Sequence, residues 1–346
     1  MFPEAFAETW IAKVTKSGEI VFDPFCGRGT APFQALLMGR RAIGNDINPV
    51  AYCVTRAKTR APSRRAVLSR VTRLESEFES MDFTPDAMPP FFKYAYHRAT
   101  LAQLLFLRSR LKWRESDTDA MVAALALGTL HGDATESYLS NQMPRTISTK
   151  PGYSIRFWKE RGLRPPRRNA FDVIRGAARF RYESEPPAAK GEVLLGDMRD
   201  LPQKLRGGPL IRTAITSPPY LDTTSFEEDQ WLRLWFLGEP PEPSVGRLSP
   251  DDRHSTRDGY WRLIADMWRM LGATLASNSN VVIRLGYREN PTDEVVEMLR
   301  ETARLARRKV RLKTVAESEM RRRQTGSFRP GSVGYSREID AHFTLA

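Results

Sequence analysis

Five consecutive residues, Thr216-Ser217-Pro218-Pro219-Tyr220, follow the apolar run Leu210 to Ile215, which reads as a strand delivering them to one edge of a sheet. Two adjacent prolines fix the backbone and remove two amide donors, so this turn offers carbonyl acceptors and little else. Acceptors of that kind suit an amino group conjugated with an aromatic ring. Holding both of its protons favours a pyramidal nitrogen, which turns the lone pair toward an incoming methyl group. Tyr220 adds a flat aromatic surface on which a base taken out of a helix can stack. A plain proline turn accounts for Pro218 and Pro219 but not for the flanking Ser217 and Tyr220.

A second constellation, Asp23-Pro24-Phe25-Cys26-Gly27-Arg28-Gly29-Thr30, follows the short apolar segment Glu19 to Asp23. Ligands of open α/β sheets bind at the carboxyl ends of strands, and glycines there let backbone amides approach a cofactor closely. Asp46 closes the next strand, Arg41 to Ile47, where a carboxylate can accept both hydroxyls of a ribose. These features leave a dinucleotide and S-adenosylmethionine both open. Phe33 stands where the three-glycine dinucleotide fingerprint expects a further glycine, which shifts weight toward the smaller cofactor.

The elements that must position these residues alternate. Strand Glu19 to Asp23, helix Ala31 to Met38, strand Arg41 to Ile47 and helix Pro49 to Ala57 give the rhythm of a parallel α/β sheet. That rhythm stops over 61–190, where Leu101 to Trp113 and Met121 to Leu130 read as helices and 140–190 is rich in Pro, Arg and aromatics with weak periodicity. It resumes with strand Glu192 to Leu195, strand Leu210 to Thr216, helix Tyr260 to Ala276, strand Asn280 to Leu285 and a helix capped by Thr292 and running to Arg307. Lys309 to Ala316 and Glu338 to Leu345 alternate like two half-buried strands. The aromatic run Phe226 to Gly238, with Trp231, Trp235 and Phe236 at helical spacing, reads as core supporting the catalytic loop.

Of 346 residues, 41% are hydrophobic and 27% charged, and the net charge is +13. The excess is concentrated: 145–190 holds twelve Lys/Arg against four Asp/Glu, and 304–329 ten against two. In the first segment arginines interleave with Tyr153, Phe157, Trp158, Phe171, Phe180 and Tyr182, a pattern suited to a polyanion and to double-stranded DNA in particular. Arg164, Arg167, Arg168 and the triplet Arg321, Arg322, Arg323 are the candidate phosphate contacts. No apolar run reaches the roughly 18 residues of a spanning helix, and the start lacks a signal-peptide pattern, so a cytoplasmic protein with no membrane partner is expected. Two cysteines, Cys26 and Cys53, and four scattered histidines predict neither disulfide nor metal site. The sequence carries no signal for oligomeric state.

With these motifs in place the chain resembles the amino-methylating DNA methyltransferases, whose catalytic tetrapeptide is Asp/Asn/Ser-Pro-Pro-Tyr/Phe. The resemblance implies catalytic roles for Ser217, Pro218, Pro219 and Tyr220, and S-adenosylmethionine as cofactor. Phe2-Pro3-Glu4-Ala5-Phe6 and Trp10-Ile11 resemble the family's element along the methionine part of that cofactor. Phe25, Gly27 and Gly29 fall on the Phe-x-Gly-x-Gly loop positions beside Asp23 and Thr30, Asp46 on the ribose acid, and Gly196-Asp197-Met198-Arg199 on the element whose acid meets the adenine amino group. The implied fold is α/β: a Rossmann-like seven-stranded S-adenosylmethionine-dependent methyltransferase sheet, one strand antiparallel, with a large, partly helical insertion. The expected division is 1–60, cofactor-binding half; 61–190, inserted candidate for DNA target recognition; and 191–346, the half carrying the tetrapeptide.

Ser217 at the first tetrapeptide position is typical of family members acting on cytosine N4, against Asp or Asn for adenine N6. Carbon-5 methylation needs an attacking thiolate, usually from Pro-Cys, and Cys26 and Cys53 follow Phe25 and Tyr52. The resemblance thus points to a site-specific cytosine-N4 DNA methyltransferase, with a cognate restriction endonuclease as candidate partner. Adenine-N6 DNA methylation, RNA base amino-methylation and a catalytically dead DNA-binding module are the competing readings. The insertion departs from the family pattern by falling between the ribose acid and Asp197.

Overall fold

The computed structural model describes residues 2–81, 83, 87–133, 135–145, 147–221, 226–243, 254, 256–287, 292–319 and 337–346. The chain divides into two compact units, one formed by Met1–Thr55, Ala189–Thr223 and Leu248–Ala346, the other by Arg56–Ala188 and Thr224–Arg247. The inserted unit therefore also takes in 224–247, which the sequence had assigned to the half carrying the tetrapeptide.

The first unit is built on seven strands: β1 (Ile20–Asp23), β2 (Arg41–Asp46), β3 (Glu192–Leu195), β4 (Thr213–Thr216), β5 (Ser279–Tyr287), β6 (Val310–Glu319) and β7 (Arg337–Leu345). Their order is β3-β2-β1-β4-β5-β7-β6. The first five run parallel, and β7 lies antiparallel between β5 and β6. This is the Rossmann-like sheet with one reversed strand that the sequence implied.

Strand periodicity divides the side chains between two faces. Val21, Ala42, Ile215 and Val282 pack with Phe6, Trp10 and Ile11 of the helix Glu4–Val14 and with Ala31 and Ala35 of the helix Thr30–Leu37. Phe22, Ile43, Ala214, Ile283 and Leu285 point the other way, toward the helices Arg257–Thr274 and Thr292–Ala303. There the fully buried Trp268 meets Phe343 of β7 at a ring separation of 5.1 Å. With both faces covered, the apolar runs of β1, β4 and β5 have no solvent side, which is why they read as short and nearly unbroken.

Two boundaries differ from the sequence reading. β4 starts at Thr213, and Leu210 is 70% exposed. The helix starting at Thr292 ends at Ala303, and a short turn then stops at Arg307, whose φ of 54° leaves the right-handed helical region.

The second unit contains the helices Arg64–Glu79, Pro90–Ala95, Arg98–Arg110, Asp117–Thr129, Pro151–Glu160, Ala170–Arg181 and Phe226–Phe236. Two of them lie in 140–190, where the sequence showed only weak periodicity. Pro151 occupies a first-turn position in one, and the Asn169 side chain accepts from the amides of Phe171 and Asp172 to cap the other. The aromatic run after Phe226 serves this unit's own core. Trp231 sits 4.8 Å from Phe91 and Trp235 4.5 Å from Phe92, ring to ring. Among the described residues no helix is long and apolar enough to cross a membrane.

Candidate active site

Parallel strands deliver their following loops to one sheet edge, so the segments after β1, β2, β3 and β4 converge there by topology alone. The loop after β1 turns through Gly27 and Gly29, at φ of 51° and 76°. A Cβ on Gly29 would also stand 2.8 Å from the Thr55 side chain, so both backbone conformation and space demand glycine there.

Asp46 is held from two sides. Its Oδ2 accepts from the Gly27 amide at 2.8 Å and its Oδ1 from the Asn48 amide at 2.9 Å. The Ile47 amide also bonds this carboxylate, and three donors leave part of its acceptor capacity for a ribose hydroxyl. Burial pushes its carboxyl up to about 6 despite those amides.

Asn45, one residue earlier and buried, was passed over in the sequence because nothing in its type separates a fold-holding amide from an ordinary strand end. Its Nδ2 donates to the carbonyls of Pro24 and Gly196, and its own carbonyl accepts from the Cys26 amide. It thereby ties the loops after β1 and β3 to β2.

Asp23 and Thr216 end the neighbouring strands β1 and β4. Thr216 Oγ1 donates to Asp23 Oδ1 at 2.6 Å, and the Phe25 amide donates to the same oxygen at 3.1 Å. Asp23 Oδ2 is enclosed with no hydrogen-bond partner among the described residues, and burial raises this carboxyl to about 7. The Thr216 bond joins the Asp23–Thr30 loop directly to the residue preceding the tetrapeptide.

Within the tetrapeptide, Pro218 is buried and Ser217 and Pro219 are partly exposed. Among the described residues none donates to the carbonyls of Ser217, Pro218 or Pro219. Ser217 Oγ is enclosed beside the Tyr220 hydroxyl without a well-directed hydrogen bond. Tyr220 itself is only 9% exposed, and its hydroxyl donates to Glu338 Oε1 at 2.7 Å.

Other candidate residues are placed as follows. Phe2 is buried against Phe6, 4.8 Å between ring centres, and Pro3 precedes the first helix. Thr30 opens the helix after the glycine loop. Asp197 caps its own turn through the Arg199 amide and pairs with the Arg199 guanidinium at 2.9 Å. The Met198 side chain lies in the apolar core with Leu201 and Ile43. Cys26 and Cys53 are both buried, and burial raises the Cys26 thiol, so neither is poised as a nucleophile.

In the second unit Arg164 and Arg167 are exposed. Arg168 is partly enclosed, with Nε buried and Nη1 3.6 Å from Glu136. Arg321, Arg322 and Arg323 lie outside the described residues.

Residues 1–55 match the family model of the N6/N4 DNA methylases. The orphan methyltransferase M.BamHII of Bacillus amyloliquefaciens is 45% identical over 53 residues, 15% of this chain and 20% of that protein. The match thus spans about a fifth of the relative's length. Among solved structures, TrmN from Thermus thermophilus aligns with a TM-score of 0.38 at 11% identity, covering 100% of this chain and 49% of that one. The rRNA methyltransferase AviRa from Streptomyces viridochromogenes gives 0.34 at 12% identity, covering 99% and 85%. SMU.1697c from Streptococcus mutans, solved in complex with SAH, gives 0.34 at 8%, covering 100% and 99%.

The first unit's sheet has the parallel strand order with a single reversed strand of the Rossmann-like fold. The family its first 55 residues match is that of the amino-methylating DNA methylases, and the matched segment includes both the Asp23–Thr30 loop and Asp46.

Proposed function

We propose that the protein methylates the exocyclic amino group of a base in DNA, with cytosine N4 as the target. The observation that carries this reading is the set of carbonyls on Ser217, Pro218 and Pro219, to which no described residue donates, joined through Thr216 and Asp23 to the Asp23–Thr30 loop. When bound, S-adenosylmethionine supplies an electrophilic methyl group and leaves as the neutral thioether.

The protein's own residues do the rest. Asp46 offers two oriented carboxylate oxygens to the ribose, and the amides after Gly27 approach without side chains in the way. The tetrapeptide carbonyls accept hydrogen bonds from the amine's hydrogens and favour its pyramidal form, so that its lone pair is available, and the proton released from the methylated amine passes to solvent. Ser217 carries no charge and can both donate and accept, which lets it meet the ring nitrogen N3 of cytosine. Asp197, engaged by Arg199, is the adenine acceptor by resemblance and exchanges part of that pairing for the cofactor. DNA as substrate is supported by the family match and by the arginine-rich 145–190 segment. The designation of M.BamHII as an orphan favours a methyltransferase acting without a companion nuclease.

The test is direct. Purified protein, labelled S-adenosylmethionine and duplex DNA are incubated, and the hydrolysed nucleosides are separated by mass spectrometry. N4-methylcytosine is expected. Methyladenine as the main product overturns the base assignment and leaves amino-methylation of DNA standing; label entering RNA alone overturns the substrate as well.

A further inference from the structure

Tyr220 is held more firmly than a stacking residue at a loop tip needs to be. Its ring lies on Gly286 of β5, where a Cβ would stand 2.3 Å from Cε2 and 2.4 Å from Cδ2. Any side chain at 286 would lift the ring from its seat. In the sheet, Gly286 pairs with Glu338 of β7 and Arg284 with Asp340, so these four positions share one face of the β5–β7 ladder. Glu338, only 7% exposed, receives the Tyr220 hydroxyl on Oε1 and lies 3.5 Å from Arg284 Nη1 through Oε2. Arg284 donates to both Asp340 oxygens, at 2.6 and 2.7 Å, and its guanidinium lies 4.0 Å from the ring centre of Phe6.

This chain of contacts has a direction. A buried carboxylate is costly unless its oxygens are occupied, and Glu338 is occupied on one side by a cation and on the other by the phenol. The Arg284 guanidinium cannot follow a moving ring, because Asp340 and Phe6 fix it. Burial, with the Glu338 charge beside it, holds the Tyr220 phenol well above its ordinary pKa, so it remains a donor throughout the working range. The two torsions of the Tyr220 side chain are therefore set at both ends: by glycine beneath the ring and by a clamped carboxylate at the hydroxyl.

We infer that Glu338 is a positioning residue for methyl transfer: through the Tyr220 hydroxyl it fixes the plane against which the target base is held, and the Arg284–Asp340 pair keeps it in place. This rests on the functional reading above. It assigns a role to β7, the reversed strand at the chain's end, which lies far in sequence from every recognised motif.

The experiment is a double-mutant cycle on the full chain with Tyr220→Phe, Glu338→Gln and the two combined. Phenylalanine keeps the stacking ring and removes only the hydroxyl, and glutamine keeps the volume of Glu338. For each protein kcat, KM for S-adenosylmethionine and the melting temperature are measured. Each single change is expected to lower kcat by about tenfold or more, the scale of a hydrogen bond to a charged group. KM for the cofactor stays unchanged, and the combined variant is no slower than the slower single one. Two results overturn the inference while leaving the reading intact. One is a Glu338→Gln enzyme with unaltered kcat and a lowered melting temperature, which makes the contact purely structural. The other is losses that multiply in the combined variant, which means the residues act separately. A parent protein that labels no DNA overturns the reading itself, and the positioning role with it, and needs no variant to be recognised.

Discussion

Asp23 and Asp46 show how environment, more than residue type, sets what a carboxyl does. Both are lifted by burial, Asp23 to about 7 and Asp46 to about 6. For Asp23 the sign of the consequence is fixed: a carboxyl that holds its proton more tightly when folded stabilises the fold most at low pH. That contribution declines as pH rises from the unfolded value near 3.8 and is gone above about 7. Asparagine keeps an acceptor for Thr216 and Phe25 but cannot ionise. Relative to Asp23→Asn, the parent is therefore expected to lose on the order of 4 kcal/mol between about pH 4 and 7 in denaturant unfolding without cofactor. Parallel stability curves for the two proteins would remove Asp23 as a buried titrating group. For Asp46 the proposed ribose contact sets the consequence instead. Its ionised form is the better ribose acceptor, so cofactor affinity should improve as pH rises through about 6. In Asp46→Ala calorimetry should show both a loss of roughly 1.5 to 3 kcal/mol per hydrogen bond and the disappearance of that pH dependence. Affinity equal to the parent's would place the ribose elsewhere.

Among the elements, those with strict periodicity were legible and those assembled by tertiary contacts were not. β3 spans Glu192–Leu195 as its sequence reading had it, and the glycine turn after β1 announces itself because a left-handed backbone leaves few choices of residue. The helices Pro151–Glu160 and Ala170–Arg181 stayed hidden because arginines and prolines dilute their apolar faces, leaving only Ser154 and Trp158 buried in the first. The site shows the same division. The tetrapeptide, the loop and Asp46 are local patterns, whereas Asn45, Gly286 and Glu338 matter through partners up to 151 residues away. A strand glycine such as Gly286 signals close approach of something, but the sequence does not say of what. Met198 sits next to Asp197 in a motif, and its side chain is part of the apolar core.

For the whole molecule the deciding quantity is how the net charge of +13 is distributed, since twelve basic residues against four acidic ones in 145–190 either bind phosphates or merely solvate a surface. The structure separates the three arginines singled out there. Arg164 and Arg167 are exposed, whereas Arg168 has a buried Nε, an acidic neighbour in Glu136, and backbone groups bonded on both sides to Thr100 Oγ1. Phosphate contacts release condensed counterions, so each one lost should flatten the plot of log affinity against log salt by about 0.9 for duplex DNA. Replacing Arg164 and Arg167 together by alanine should therefore reduce that slope by about 0.9 to 1.8, measured by fluorescence anisotropy of a labelled duplex across a salt series. Arg168→Ala is the internal contrast: its side chain is partly enclosed in its own unit, so its loss should appear in the melting temperature before it appears in the slope. A slope untouched by the double change would mean that these arginines are solvated charge, and the DNA contact would then have to come from another part of the basic surface.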